Sequence, residues 1–241
     1  MRLADKISSW IKDQTEKAGC RGCVIGLSGG IDSAVVAVLC KTAFPKSTLG
    51  LLMPCHSHKD DLKHAMDLAT AFNVETQFVD LSLLFESAYV TFEGRTFEEK
   101  NKNLATANLK PRLRMLTLYY FANKMNYLVV GTGNRSELMM GYFTKYGDGG
   151  VDLLPIADLL KTEVRALAKE LKIPEAIIKR APSAGLWEGQ TDEEEMGITY
   201  DELDNILLGK TAGIAPQKVV MVQDRMKASE HKRNLAGIFK K

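Results

Sequence analysis

Val24-Ile25-Gly26-Leu27-Ser28-Gly29-Gly30-Ile31-Asp32-Ser33-Ala34 is the stretch from which the fold can be read. It opens on a continuous apolar run, the pattern of a strand buried on both faces, and Ile31 to Leu39 leads out as an apolar helix. Two serines and two glycines fill the strand-to-helix turn, where backbone N–H groups converge on an anion at a helix N-terminus. A Walker A loop, G-x-x-x-x-G-K-[ST], would carry a lysine at this place. None occurs here, and Asp32 follows Gly30 after one residue. A carboxylate so close to polyphosphate repels it unless a cation sits between them, so the loop predicts a nucleotide together with Mg2+. The simpler alternative is a capped glycine turn with Asp32 set against the macrodipole. The full S-G-G-x-D-S pattern behind a buried strand outweighs it.

Outward from this loop, strand and helix patterns alternate. Leu3, Ile7, Trp10 and Ile11 form one face of a helix over 3–18 that ends at Gly19. The helix after the loop closes near Phe44-Pro45, and Thr48 to Met53 is a second apolar strand stopped by Pro54. A helix over 58–73, a strand from Glu75 to Asp80 and helices over 82–92 and 96–125 follow, with a break expected before Pro111. Tyr127 to Gly131 is a fourth buried strand. Helices over 160–172, 199–208 and 216–228 precede a basic tail from His231 to Lys241. Short connections and strand–helix alternation imply an α/β fold, a doubly wound, mostly parallel sheet flanked by helices, as one domain over 1–241. A nucleotide should then lie at the carboxyl ends of the strands.

Composition narrows the partners. Among 241 residues, 32 Lys and Arg against 30 Asp and Glu leave a net charge of +2, too little to point to nucleic acid. No apolar stretch approaches the roughly 18 residues of a membrane span. Arg2, Asp5 and Lys6 do not suit a signal peptide. Four cysteines are too few for a disulfide scaffold, so a reducing cytoplasm is expected. Cys20-Arg21-Gly22-Cys23 has half-zinc-site spacing without a second half, and reads as a turn; Cys40 reads as packing.

A second polar cluster follows the fourth strand. In Gly131-Thr132-Gly133-Asn134-Arg135-Ser136-Glu137, Asn134 and Glu137 have capping-box spacing. Glu137 is also the nearest second acid for Mg2+, and Thr132 could hydrogen-bond a nucleotide. Gly141 to Gly150 is a glycine-rich loop carrying Lys145 and Asp148, with Asp152 just beyond. Lys161 heads the next helix, where a cation opposes the macrodipole unless an anion lies opposite. Asp192-Glu193-Glu194-Glu195 reads as a solvated or mobile surface run.

The loop resembles the pyrophosphate loop of the N-type ATP pyrophosphatases, which adenylate an acid or carbonyl. With GTGNRSELMMGYFTKYGDGGVDLLPIADLLKTEVR, PSAGLWEGQTDEEEMG and HKR added, the chain resembles the ammonia-dependent NAD synthetases over nearly its whole length. Pro111 stands where many members have alanine, and Gly133 to Ser136 replaces an Asp-His-Ala-Ala stretch. The resemblance implies an adenine nucleotide alpha-hydrolase-like fold and a homodimer that amidates deamido-NAD with ATP, Mg2+ and ammonia. It implies that Gly26, Leu27, Ser28, Gly29, Gly30, Ile31, Asp32 and Ser33 cradle ATP, joined by Thr132, Lys161 and Ser183. Asp32 and Glu137 would hold the metal, and Arg112, Lys145, Asp152, His231 and Lys232 would hold deamido-NAD.

The expected chemistry is attack of the nicotinate carboxylate on the α-phosphate, then displacement of AMP by ammonia. Lys161 would neutralise the leaving pyrophosphate and Asp148 would bind or deprotonate ammonium. Segments 141–150 and 181–197 would serve as lids that exclude water. Only one helix and a turn precede the loop, so free ammonia is the expected nitrogen source. A tRNA-thiolating relative would want a catalytic thiol and a basic RNA face. A non-catalytic nucleotide sensor would need neither Glu137 nor a covering loop.

Overall fold

The computed structural model describes residues 1–57, 59–183 and 191–240. Among them, β1 (Cys23–Gly26), β2 (Thr48–Leu52), β3 (Glu75–Phe78) and β4 (Leu128–Val129) form one parallel sheet in the order β3-β2-β1-β4. The helices are α1 (Leu3–Lys17), α2 (Ile31–Ala43), α3 (Lys59–Ala71), α4 (Ser82–Glu93), α5 (Leu104–Met125) and α6 (Arg135–Met140). They continue as α7 (Lys161–Glu170), α8 (Glu175–Ile178), α9 (Asp192–Met196), α10 (Tyr200–Leu207), α11 (Pro216–Ala228) and α12 (Glu230–Arg233).

Successive strand residues point to opposite faces, so the apolar runs of β1, β2 and β4 feed two separate cores. Ile25, Leu52 and Val130 join α1, α2, α3 and α7 on one face. Val24, Leu51 and Val129 join α4 and α5 on the other. This is the doubly wound α/β arrangement expected. A third core, Met140, Met196, Ile198, Tyr200, Leu203 and Val222, packs α6, α9, α10 and α11 together beyond the sheet. The four cysteines are unpaired thiols, and Cys40 is fully buried in the α2 core as packing.

Three expectations are corrected. The helix over 96–125 begins only at Leu104, where Asn103 and Thr106 close a reciprocal capping box; 99–101 is a single 3-10 turn. It also runs through Pro111 without a break, because Pro111 is buried on the helix's packed side, against the loop at Gly147. The acidic run is no solvated loop: Asp192 to Glu195 open α9, and Asp192 is 4% exposed. Thr191 caps that helix, and its first turn favours carboxylates. Residues 184–190 of the expected 181–197 lid lie outside the described residues.

Candidate active site

Strand β1 pairs with β2 on one side and β4 on the other, so the chain order reverses direction there. The loops leaving β1 and β4 must diverge at such a switch point, opening a crevice at the carboxyl ends of the strands. A cleft of about 1020 Å3 occupies that position. All the expected site residues border it except Gly29 and Asp152.

The Gly26–Ser33 loop is held by its own hydroxyls. Ser33 Oγ donates to the Gly30 carbonyl at 2.9 Å, Ser28 Oγ accepts the Gly30 N–H at 3.2 Å, and the two hydroxyls are 3.0 Å apart. Gly29 lies at φ +78°, and a Cβ there would collide with the Asp61 carbonyl, so a side chain is barred on two counts. Gly30 stands at the N-cap of α2 with no side-chain cap, which leaves first-turn N–H groups for a bound anion.

Opposite the loop, α6 and α7 deliver charge. Lys161 Nζ lies 2.5 Å from Asp32 Oδ2 and 3.1 Å from Glu137 Oε1, and its side chain is 2% exposed. The anion that its position at a helix start requires is therefore this carboxylate pair. Burial works against the ammonium, but Asp32 and Glu137 together outweigh it and raise its pKa. Burial pushes the Glu137 carboxyl up to about 7, with Lys161 pulling the other way. Asn134 serves twice. Its side chain caps α6 reciprocally with Glu137, and its amide donates to Asp32 Oδ1 at 2.9 Å. Two carboxylates sharing one cation make a hard-oxygen donor set that fits Mg2+ completed by phosphate oxygens. Among the described residues no group of three or more His, Cys, Asp or Glu forms a protein-only metal cage.

The far end of the cleft is cationic. Lys232 donates to the Gly141 and Phe143 carbonyls at 2.8 and 2.9 Å, and Lys145 donates to the His231 and Asn234 carbonyls. The C-terminal segment and loop 141–150 thus grip each other. Asp148 accepts the Thr144 N–H at 2.9 Å and is exposed in the cleft, where partial desolvation raises the pKa of its carboxyl. Arg112 is exposed on the cleft rim. Asp152 instead accepts Tyr119 Oη at 2.9 Å and the Val129 N–H at 2.8 Å, behind the wall.

Residues 3–236 match the family model for NAD synthase. The chain belongs to the NAD synthase family. It is 50% identical over 234 residues to an NH3-dependent NAD+ synthetase from Carboxydothermus hydrogenoformans, covering 97% of this chain and 95% of that protein. Its structure is similar to that of NMN synthetase from Francisella tularensis, with TM-score 0.91, 38% identity and 98% and 96% of the two chains covered. It is similar also to an NH3-dependent NAD synthetase from Campylobacter jejuni, with TM-score 0.81, 31% identity and both chains covered in full.

Sequence reasoning missed part of this NAD synthase site. Tyr200, fully buried, donates to Asp192 Oδ2 at 2.9 Å, its hydroxyl oxygen lies 3.3 Å from Glu137 Oε1, and its ring lies 4.9 Å from Lys161 Nζ. Arg114 lines the cleft from α5, one turn from Lys110, and donates to the Met53 carbonyl and Ser57. An i, i+4 pair of cations facing one wall was the available signal. For Tyr200 only the Thr199–Glu202 capping box marked the helix start, with nothing to mark its contact with Glu137.

Proposed function

We propose that this NAD synthase family member converts deamido-NAD to NAD with ATP and ammonia. The observation that carries the reading is the Asp32–Lys161–Glu137 cluster, set against an uncapped phosphate loop at the switch point. A carboxylate is a poor electrophile until its oxygen becomes a leaving group. Here the nicotinate carboxylate attacks the α-phosphate and pyrophosphate leaves; ammonia then adds to the acyl carbon, and AMP leaves with the shared oxygen.

The N–H groups of Gly26 to Ser33 bind the phosphates, with Thr132 and Ser183 on the nucleotide. Lys161 exchanges its carboxylate partners for the departing pyrophosphate, whose charge it neutralises. Asp32 and Glu137 would hold Mg2+, which would supply further charge neutralisation at the polyphosphate. Arg112, Lys145, His231 and Lys232 bind deamido-NAD at the cationic end, while Asp152 supports that wall through Tyr119. Asp148, whose carboxyl is made more basic by partial desolvation in the cleft, takes the proton that ammonium must lose before it can attack.

The protein works in the cytoplasm as a homodimer. No described helix is long and apolar enough to cross a membrane. Leu83, Phe92, Leu116 and Tyr120 stand exposed on α4 and α5, an apolar face that a second copy would cover. Sedimentation of the purified chain at micromolar concentration tests this: a dimer mass is expected, and a monomer would reject it.

The likeness to an NMN synthetase favours a specific second reading, amidation of the mononucleotide. One experiment separates the two. AMP and pyrophosphate are measured from ATP with ammonium and either deamido-NAD or nicotinate mononucleotide. Turnover with deamido-NAD well above the mononucleotide is expected; the reverse preference overturns the proposal, and turnover with neither rejects both.

A further inference from the structure

We propose that Asp204 is the positioning residue for the Lys161–Glu137 pair, its one carboxylate capping α7 from another helix and tying α6 to it. The inference rests on the roles proposed above for Lys161 and Glu137.

Helix α7 starts badly on its own terms. Its N-cap is Leu160, which has no side-chain acceptor, and its first residue is a lysine at the positive end of the dipole. The missing acceptors come from elsewhere. The Lys161 N–H donates to Ser136 Oγ at 2.9 Å, and Ser136 Oγ donates onward to Asp204 Oδ1 at 2.5 Å. The Thr162 N–H and Thr162 Oγ1 both donate to Asp204 Oδ2, at 2.9 and 2.8 Å. Asp204 is 3% exposed and Ser136 is fully buried, so water does not compete for these bonds.

Ser136 is the neighbour of Glu137, and Thr162 is the neighbour of Lys161. One carboxylate therefore fixes both residues that flank the reactive pair. Its negative charge also faces the α7 N-terminus, where it offsets the field that Lys161 opposes. Asp204 borders no part of the cleft, so it acts only through other groups. Helix α10 holds it there, with Tyr200 and Leu203 buried in the third core. Reactive groups displaced by about 1 Å typically lose about 100-fold in rate. Loosening this clasp should move Lys161 and Glu137 by such an amount while leaving the deamido-NAD end untouched.

The test compares Asp204→Asn and Thr162→Val with the intact enzyme, measuring kcat, both KM values, ATP affinity by calorimetry and the melting temperature. The Asp204→Asn change removes the charge and leaves one oxygen where two carboxylate oxygens accept from Ser136 and Thr162. It is expected to lower kcat about 100-fold, and to weaken ATP binding about tenfold, the effect of one lost charged hydrogen bond. The KM for deamido-NAD should change less than the KM for ATP, because the displaced pair lies at the phosphate end of the cleft. In a Lys161→Met background, Asp204→Asn should weaken ATP binding no further, as expected of a group acting through Lys161. An unchanged kcat with a lowered melting temperature, or an equal rise in both KM values, would show a merely structural residue and overturn the proposal. If Asp204→Asn does not fold, Thr162→Val decides alone, with a kcat loss of about tenfold expected and an unchanged kcat contradicting it. Intact enzyme that makes no AMP from ATP, deamido-NAD and ammonium would instead refute the proposed function.

Discussion

Lys161 Nζ lies 2.5 Å from Asp32 Oδ2, although 129 residues separate them in the chain. A Walker loop carries its lysine within the loop itself. In this protein the loop after β1 supplies the acid and a helix beyond β4 supplies the cation, so the two meet only in the folded state. That distribution makes the site's charge balance and the fold's stability interdependent.

Removing the cation exposes this dependence. Lys161→Met leaves Asp32 and Glu137 facing each other, both side chains mostly buried at 15% and 17% exposure. Breaking one partner out of a buried ion pair typically costs about 3–5 kcal/mol. Denaturant unfolding of the ligand-free variant should show a loss of this order, with pyrophosphate release abolished. Stability equal to that of the intact protein would mean that the cluster is not charged as described.

The pH dependence has a defined sign. Burial raises the Glu137 carboxyl from its ordinary 4.5 to about 7, so between these values the folded chain binds more protons than the unfolded one. Its contribution to stability is complete below about pH 4.5 and is lost as pH rises through 7. Thermal unfolding of the ligand-free protein should therefore show stability falling from about pH 5 to 7 relative to Glu137→Gln. Parallel pH profiles for the two proteins would remove Glu137 as the cause.

Asn134 links the cap of α6 to Asp32, so its truncation should affect both. Loss of a capping side chain costs about 1 kcal/mol. Asn134→Ala should show this in denaturant melts, together with a reduced kcat from an Asp32 carboxylate that is no longer held. A stability loss with full activity would limit Asn134 to capping.

The grip between loop 141–150 and the C-terminal segment is tested by Lys232→Ala. Two carbonyls, of Gly141 and Phe143, lose their donor. Amide exchange in 141–150 should quicken, and the KM for deamido-NAD should rise more than the KM for ATP. Equal protection of the loop in both proteins would show that Lys232 does not hold it.

Much of the fold was legible because its signals are short-range. The run from Cys23 to Ala43 contains a whole strand, turn and helix, and the expected start of the strand and end of the helix near Phe44-Pro45 match it within a residue or two. The pairing of Asn134 with Glu137 was legible for the same reason. What escaped depends on contacts distant in sequence. Asp192 looked like part of a solvated run because three more acids follow it, whereas in the fold it is buried and hydrogen-bonded by Tyr200 and Tyr142. Pro111 looked like a helix break because its own local cost is real. Packing on both sides of α5, against the sheet and against loop 141–150, carries the helix past it. Asp204 carried no local signal, since its partners are 68 and 42 residues away.

The central claim is that this cleft activates a carboxylate by joining it to the α-phosphate of ATP. It is tested most directly by carrying out the reaction with deamido-NAD labelled with oxygen-18 in both carboxylate oxygens. Mass spectrometry of the products should find one labelled oxygen in the phosphate of AMP and pyrophosphate without label. Label appearing in inorganic phosphate alongside ADP, or AMP formed free of label, would contradict the account.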